Sequence, residues 1–369
     1  MMNNKKDYCI IAITKHGVNL ARDLHNITWP EADLFYMSKF EQGDEKERSI
    51  EMFSGSVRLQ LPSLFESYKG LVLIVSLGAV VRMIAPLLKD KKTDPAIVVI
   101  DDKGENVISV LSGHLGGANQ LTEKIAKMIH ARPIITTASD VGQTIAVDIF
   151  GREFGWQYES DEKLTPVSAA VVNEEKVAVV QESGELNWWK YSKPLPSNIK
   201  VYDSIKLAKR DNPNAALVIT HRLLTDEEKD ILDNGILYRP KVIVLGMGCN
   251  RGTSADEIDG VIHETLAELQ FSLKSVKAIC TIDLKKDEQG FLDIINKYGW
   301  DFITYTPEEL NQVAISDPSD TVYKYTGAYG VSEPAALLYS KTKKLELVKK
   351  KSGNVTISVG ILANEKGRG

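Results

Sequence analysis

The segment 108–129, ISVLSGHLGGANQLTEKIAKMI, constrains the fold of this chain more than any other. Its β-branched residues predict a strand that leads into a loop with three glycines and one histidine. The apolar residues that follow, spaced three and four apart, predict a helix. Ligands bind at such strand-to-helix junctions in open α/β sheets. Glycine lets a ligand approach the backbone, and the free N–H groups of a helix favour anions. The segment therefore predicts an α/β fold with a binding site beside His114.

Strand and helix signals alternate through the first part of the chain. We predict strands at 9–14, 32–38, 71–77, 96–101, 107–111 and 133–137. We predict helices near 17–25, 57–68, 79–88, 117–130 and 144–154. A middle part with short strand signals follows, and a new α/β unit begins near residue 241. The prediction is an α/β protein with two α/β domains of mostly parallel sheets, 1–155 and 239–369, joined by a small middle α/β module, 156–238.

Composition excludes several functional classes. The 369 residues carry a net charge of −5, which argues against a nucleic-acid-binding surface. No apolar run reaches the roughly 20 residues that cross a membrane, and the start of the chain lacks the features of a signal peptide. Cys9, Cys249 and Cys280 are far apart, so neither a disulfide framework nor a zinc site is expected, and we predict no metal ligands. We expect a cytoplasmic protein, with a homodimer as the default assembly.

The loop after the strand at 107–111 is the first candidate site. His114 is its one side chain that exchanges a proton near neutral pH. The residues expected to hold a ligand around it are Ser112, Gly113, Gly116, Gly117 and Asn119. A tight turn with a hydrogen-bonded histidine is the alternative, and the sequence leaves both open.

Two further candidates lie in the same part of the chain. Arg82 is predicted in the first turn of a helix, where the helix dipole disfavours it, so an anionic ligand or a salt bridge is expected there. Thr136, Thr137 and Ser139 place hydroxyl groups at a strand end. Asp140 either caps the next helix or orients a histidine. Asp148 is expected to be solvated on an amphipathic helix.

The segment GMGCNRG at 246–252 is the fourth candidate. Its glycine spacing departs from the dinucleotide-binding pattern, and the acid at the next strand end lies too far downstream. An anion-binding turn is therefore favoured over a nicotinamide site. The residues expected to bind there are Gly248, Cys249, Arg251 and Gly252. Ser254 and Glu257 predict a capping box that starts the next helix.

Two more polar loops are predicted near that turn. One follows the strand that ends near Thr281 and contains Lys285. The other, 326–335, contains Gly327 and Glu333, with Ser332 expected as a helix N-cap. With the glycine turn, these loops are expected at one edge of the C-terminal sheet, where they would form a binding crevice.

These motifs resemble the CbiG family of anaerobic cobalamin biosynthesis. The resemblance is carried by LGAVVRMIAPLLKDKKTDPAIVVID, LSGHLGGANQLTEKIA and PIITTASDV in the first part of the chain. In the last part it is carried by LGMGCNRGTSADEI, TIDLKKDEQGF and TGAYGVSEPAAL. The middle part matches loosely.

The resemblance implies a hydrolase that acts on cobalt-precorrin-5A. The substrate is a cobalt-bearing contracted tetrapyrrole with a δ-lactone, which water opens before a two-carbon fragment leaves as acetaldehyde to give cobalt-precorrin-5B. The cobalt belongs to the substrate, no cofactor is implied, and other enzymes of the pathway are the implied partners. His114 is then the expected base, oriented by Asp140, and Arg82, Arg251 and Lys285 are expected to bind substrate carboxylates.

Two other functions remain open from the sequence. A non-catalytic carrier of corrinoid intermediates would also use glycine loops and basic residues. A nicotinamide-dependent oxidoreductase is the third alternative and rests on the loop at 246–252 alone.

Overall fold

The computed structural model describes residues 5–159 and 161–363. Their contacts divide the chain into two compact units, Met1–Ile149 and Phe150–Gly369. Among the described residues, no helix has the length and apolar character needed to cross a membrane. The three domains expected from the sequence stay a prediction.

The first unit contains a seven-stranded sheet in the order β3-β2-β1-β4-β5-β6-β7. The strands are β1 (Lys6–Ala12), β2 (Asp33–Met37), β3 (Glu51–Phe53), β4 (Tyr68–Ile74), β5 (Ala96–Ile100), β6 (Asn106–Leu111) and β7 (Arg132–Ile134). The helices are α1 (Lys15–Asp23), α2 (Val57–Ser67), α3 (Leu77–Ile84), α4 (Ala118–Met128) and α5 (Ala138–Val141). The short strand β3 was not predicted.

Helices cover both faces of this sheet because the central strands are apolar on both sides. In β1, Ile10 and Ala12 contribute to one buried cluster, whereas Cys9 and Ile11 contribute to the other. Strands β4 and β5 alternate in the same way. The predicted α/β class is therefore confirmed.

The direction of β6 decides where the loop with His114 lies. Strands β1 to β5 pair in parallel, but β6 runs antiparallel to β5, and β7 runs parallel to β6. Leu111 at the end of β6 is therefore opposite Ile97 near the start of β5. The loop after β6 lies at the sheet edge that holds the amino ends of β1 to β5, whereas a parallel β6 would have placed it at the other edge.

The helix predicted at 144–154 is wrong. The structure has two short 3-10 turns there, Val147–Ile149 and Arg152–Phe154. Gly151 adopts a left-handed conformation with φ of +72°, and a Cβ at this position would lie 1.9 Å from the ring of Trp156. The chain therefore turns where its amphipathic pattern predicted a continuous helix.

The second unit contains two five-stranded sheets, in the orders β10-β9-β11-β12-β8 and β15-β14-β13-β17-β16. The strands are β8 (Gln157–Glu159), β9 (Val177–Gln181), β10 (Ile199–Tyr202), β11 (Ala215–Ile219), β12 (Gly235–Arg239), β13 (Ile243–Cys249), β14 (Val276–Ile282), β15 (Asp301–Tyr305), β16 (Leu347–Ser352) and β17 (Val355–Ile361). The helices are α6 (Leu164–Val172), α7 (Ile205–Arg210), α8 (Ala255–Glu268), α9 (Gln289–Tyr298), α10 (Pro307–Asn311), α11 (Asp320–Thr326) and α12 (Ser332–Ser340).

Most strand pairings across the three sheets are parallel, as predicted. The sheet that contains β13 is mixed, because β14 and β15 extend it in parallel on one side while β17 and β16 extend it antiparallel on the other.

The glycine turn predicted after Leu245 is absent from its expected place, because β13 continues to Cys249. A Cβ at Gly246 would lie 1.9 Å from the carbonyl oxygen of Ser332. This glycine therefore permits close packing of β13 against α12 and does not form a ligand-binding turn.

Two cap predictions also need correction. Ser332 is the first residue of α12, after the N-cap Val331, and its buried Oγ accepts a hydrogen bond from Ser358 at 3.0 Å. Ser254 does cap α8, since its side chain accepts from the amide of Glu257. The second hydrogen bond of a capping box, from the Ser254 amide to the Glu257 carboxylate, is absent between these two described residues. The Glu257 carboxylate accepts hydrogen bonds from Asn354 instead.

Candidate functional site

The loop 112–117 joins β6 to α4 by a compact turn. The carbonyl oxygens of Ser112 and Gly113 accept hydrogen bonds from the first two amides of α4, and the amide of Gly117 donates to the carbonyl of His114. The amide of Gly116 has no hydrogen-bond partner among the residues that the structure describes. The amide of Gly117 is therefore occupied within the loop, whereas that of Gly116 is available to an anion.

Three glycines are needed to build this loop. A Cβ on Gly113 would lie 2.8 Å from the side-chain oxygen of Asn119, and one on Gly116 would lie 2.3 Å from the Cβ of Ser112. Gly117 has φ of +85°. The glycines therefore let the loop close on itself and hold His114 in place.

The imidazole of His114 lies among polar groups. Its Nδ1 is 3.1 Å from Oδ1 of Asp148, and its Nε2 is 2.9 Å from Oδ2 of Asp140. The hydroxyl of Ser139 lies 3.0 Å from the same Nε2. The side chain of His114 is 18% exposed, so solvent reaches it. We refer to His114, Ser139, Asp140 and Asp148 as the His114 cluster.

Asp140 is held in position by the N-cap residue of its own helix, α5, and by a side chain of α4. Its Oδ2 accepts hydrogen bonds from Thr137 and from Nδ2 of Asn119, the latter at 2.9 Å. Asn119 is buried, and its own oxygen accepts from Ser109 at 2.6 Å. The predicted residues Asn119, Thr137 and Asp140 thus come together with His114, and Asp140 contacts the histidine.

Two carboxylates beside one imidazole stabilise its charged form. The hydrogen bond to Asp148 contributes most and, with the smaller effect of Asp140, outweighs partial burial and raises the pKa of His114 to about 9. The imidazole is therefore protonated at neutral pH. In this state both ring N–H groups donate, and His114 begins as an acid, whereas we expected it to begin as a base.

Asp148 was missed as a site residue. The amphipathic pattern around it predicted a helix with a solvated carboxylate, whereas the turn Val147–Ile149 directs this carboxylate to the imidazole. Ser139 was predicted only as one of the hydroxyl groups at a strand end, whereas its hydroxyl lies beside the imidazole. The glycines at 151 and 155 were the signal against a continuous helix.

Two predicted residues of the first unit lie apart from these contacts. Arg82 is in the last turn of α3, and not in the first, because the helix begins at Leu77. Its exposed side chain has no hydrogen bond or ion pair with any residue that the structure describes. Thr136 is exposed and likewise lacks a side-chain partner in the described part of the chain. A role for either residue in substrate binding stays a prediction.

In the second unit, the loops after β13 and β14 contact each other. Arg251 pairs with Asp287 at 2.7 Å and donates to the carbonyl of Leu284 at 3.1 Å. Lys285 pairs with Glu288 at 3.0 Å, and the amide of Gly252 donates to the same carboxylate at 2.8 Å. We refer to Arg251, Lys285, Asp287 and Glu288 as the Arg251 cluster.

The two cations of the Arg251 cluster already have acidic partners. Burial acts to raise the pKa of Glu288, which is 3% exposed, but Lys285 and the Gly252 amide more than offset it, so the pKa is lowered. Arg251 is 59% exposed and can exchange its partner for a ligand. Cys249 is half-buried, and desolvation raises the pKa of its thiol.

The third predicted loop lies near the other two. A Cβ on Gly248 would be 3.7 Å from the side chain of Val331, and one on Gly327, which ends α11, would be 3.3 Å from Pro307 after β15. The buried Glu333 accepts hydrogen bonds from the amide and hydroxyl of Ser316. The third loop therefore lies against Gly248 at the end of β13 and against the segment after β15, with Glu333 in a structural contact.

The nicotinamide alternative loses its main support in this geometry. Gly246 and Gly248 both lie within β13, and not in a turn that could hold a dinucleotide. The glycine with a left-handed conformation is Gly252, at φ of +77°.

Comparison with known proteins identifies the family. Family models match three consecutive regions: Cobalamin synthesis G N-terminal at residues 60–140, Cobalamin biosynthesis central region at 145–240, and Cobalamin synthesis G C-terminus at 243–360.

Three relatives resemble the chain over nearly its whole length. A protein of Priestia megaterium named cobalt-precorrin-5A hydrolase is 68% identical, over 98% of this chain and 96% of the relative. One of Salmonella typhimurium with the same name is 31% identical, over 95% of this chain and 97% of the relative. One of Methanocaldococcus jannaschii, named probable cobalt-precorrin-5A hydrolase, is 26% identical with the same coverage. The chain therefore belongs to the CbiG family, as its motifs predicted.

Proposed function

We propose that this chain is a cobalt-precorrin-5A hydrolase of cobalamin biosynthesis and that the His114 cluster carries its chemistry. The full-length relative that is 68% identical bears this name. One structural observation carries the choice of site: a solvent-accessible imidazole lies between two carboxylates and touches a hydroxyl group. Opening a lactone requires a base for water and an acid for the leaving oxygen, and this cluster contains both kinds of group.

The first step is the attack of water on the lactone carbonyl. Oδ2 of Asp140 already accepts three hydrogen bonds, but its Oδ1 has no partner among the residues that the structure describes. We assign Oδ1 as the base that takes the proton of the attacking water and releases it to solvent before the next turnover. The amide of Gly116 is the donor available to the developing oxyanion. The carbonyl carbon gains a hydroxyl group, and its bond to the ring oxygen breaks.

His114 then acts twice. Because it begins protonated, it gives a proton to the ring oxygen as this oxygen leaves the carbonyl carbon. The oxygen becomes a hydroxyl group on the carbon that later leaves in acetaldehyde. The neutral imidazole takes that proton back as the C–C bond to the macrocycle breaks and acetaldehyde leaves. The electron pair of this bond passes into the conjugated macrocycle. The base role expected from the sequence thus belongs to this second step.

Neither step changes a net oxidation state, so the reaction calls for no cofactor. The cobalt arrives with the substrate. Peripheral carboxylates of the macrocycle need cationic partners, and Arg251, Lys285 and Arg82 stay the candidates. The cytoplasmic location, the homodimer and partnership with other pathway enzymes stay predictions.

The test is incubation of the purified protein with cobalt-precorrin-5A and measurement of released acetaldehyde. The proposal expects many turnovers per chain, with cobalt-precorrin-5B as the macrocyclic product by mass spectrometry. Tight stoichiometric binding of the substrate without aldehyde would instead identify a corrinoid carrier.

A further inference from the structure

Ser139 has no role in the mechanism above, although its hydroxyl touches the catalytic nitrogen. Its Oγ lies 3.0 Å from Nε2 of His114, and the residue is 6% exposed. Its carbonyl accepts a hydrogen bond from the amide of Thr144, which fixes the backbone at this point. The hydroxyl is therefore held beside the imidazole.

Nε2 of His114 has two neighbours of different chemistry at nearly equal distances. Oδ2 of Asp140, at 2.9 Å, belongs to a carboxylate that can only accept, and Asn119 and Thr137 also donate to it. The hydroxyl of Ser139 can accept one proton while it donates another. The carboxylate of Asp140 therefore stabilises the proton on Nε2, whereas the hydroxyl of Ser139 can accept that proton and donate its own.

We propose that Ser139 is a catalytic proton relay between His114 and the reacting oxygen of the substrate. The proposal rests on the hydrolysis proposed above. As the bond between the carbonyl carbon and the ring oxygen breaks, Nε2 gives its proton to Oγ of Ser139, and Oγ gives its own proton to the leaving oxygen. That oxygen keeps the electron pair of the broken bond and becomes a hydroxyl group. The same two transfers run in reverse when acetaldehyde leaves.

The first experiment deletes one oxygen atom. The variant Ser139→Ala is expected to lower kcat for acetaldehyde release about 10²-fold, which is the lower end of what a positioned proton-transfer group contributes. Its KM and the His114 titration followed by NMR are expected to stay as in the wild type, because both carboxylates remain. Ser139→Thr keeps the hydroxyl and is expected to recover most of kcat. Ser76→Ala, an exposed serine after β4, is the matched control and is expected to keep full activity.

The second experiment counts the protons that move in the slow step. In mixtures of light and heavy water, two protons in flight give a curved dependence of kcat on the deuterium fraction. The wild type is expected to show this curve and Ser139→Ala a linear dependence. A residue that only supports the fold would leave the shape of the dependence unchanged.

The outcomes separate the relay from the alternatives. Wild-type kcat in Ser139→Ala overturns it, as does a loss of kcat accompanied by a shifted His114 titration, which indicates a structural role. An acyl adduct on Ser139, found by mass spectrometry after rapid quenching, also overturns it and identifies a nucleophile. Absence of acetaldehyde from the wild type contradicts the proposed function itself and not the relay alone.

Discussion

Two loops of this chain follow a strand, contain glycines and carry cationic side chains, yet their charges are balanced differently. In the His114 cluster, one imidazole faces two carboxylates that come from the segments after β7. In the Arg251 cluster, two cations face two carboxylates. The first cluster has an excess of negative charge and keeps a proton near neutral pH, whereas the second is balanced. Glycine loops that look alike in sequence therefore acquire different chemistry from the residues that pack against them.

The comparison predicts that the largest effect on chemistry comes from the first cluster. His114→Gln removes the group that both donates and accepts the proton, so kcat for acetaldehyde release is expected to fall about 10³-fold. The control is His130→Asn, because His130 is exposed and its positive φ suits asparagine. Turnover at the wild-type rate in a correctly folded His114→Gln would show that the site lies elsewhere.

The second prediction concerns the dependence of stability on pH. The pKa of His114 is raised to about 9 from an ordinary 6.5, so protonation favours the folded chain. This contribution, on the order of 3 kcal/mol, is fully present below about pH 6.5 and is lost as the pH rises through about 9. Urea unfolding near pH 6 and pH 9.5 measures it. Asp148→Asn, which removes the main cause of the raised pKa, is expected to reduce the difference between the two pH values, and an unchanged difference would contradict the assignment.

The balanced cluster is expected to affect stability through its buried acid. Lys285→Met leaves Glu288, which is 3% exposed, without its nearer cation, so that the Gly252 amide and Arg251, at 3.5 Å, are the partners that remain. The free energy of unfolding is expected to fall by about 2 kcal/mol. The double variant Lys285→Met with Glu288→Leu removes the uncompensated charge and is expected to regain most of that loss. If the double variant is as unstable as the single one, the ion pair is not the cause.

The smallest effect is expected at Arg251. Its pair with Asp287 is exposed and screened by solvent, so Arg251→Gln is expected to leave the free energy of unfolding nearly unchanged. If Arg251 exchanges this partner for a substrate carboxylate, KM is expected to rise about fivefold with kcat unchanged. An unchanged KM would remove Arg251 from the substrate-binding residues.

Much of this fold could be read from local patterns, because alternating apolar strands and amphipathic helices leave clear signals. The loop around His114 was found because three glycines and a histidine follow a strand. The partnership of Asp140 with that histidine was one of two alternatives. Which one holds depends on how β7 packs beside β6, and no local pattern contains this information.

The reversed strand β6 had a signal that was not used. Only residues 101–105 connect it to β5, which is too short for the crossover that a parallel pair requires. Gly104 has φ of +71°, and Asp101 accepts amide hydrogen bonds from the turn, as in a hairpin. Connection length therefore predicts the reversal, whereas strand propensity does not.

Because β6 is reversed, the turn before this strand lies far from the loop with His114 and is a suitable place to attach a label. The hairpin turn that contains Lys103 is at the opposite end of β6 from the loop 112–117. A dye or an affinity tag attached at Lys103 would therefore sit a full strand length from the imidazole. Immobilisation through this turn would therefore leave the bulky tetrapyrrole free to approach the catalytic groups.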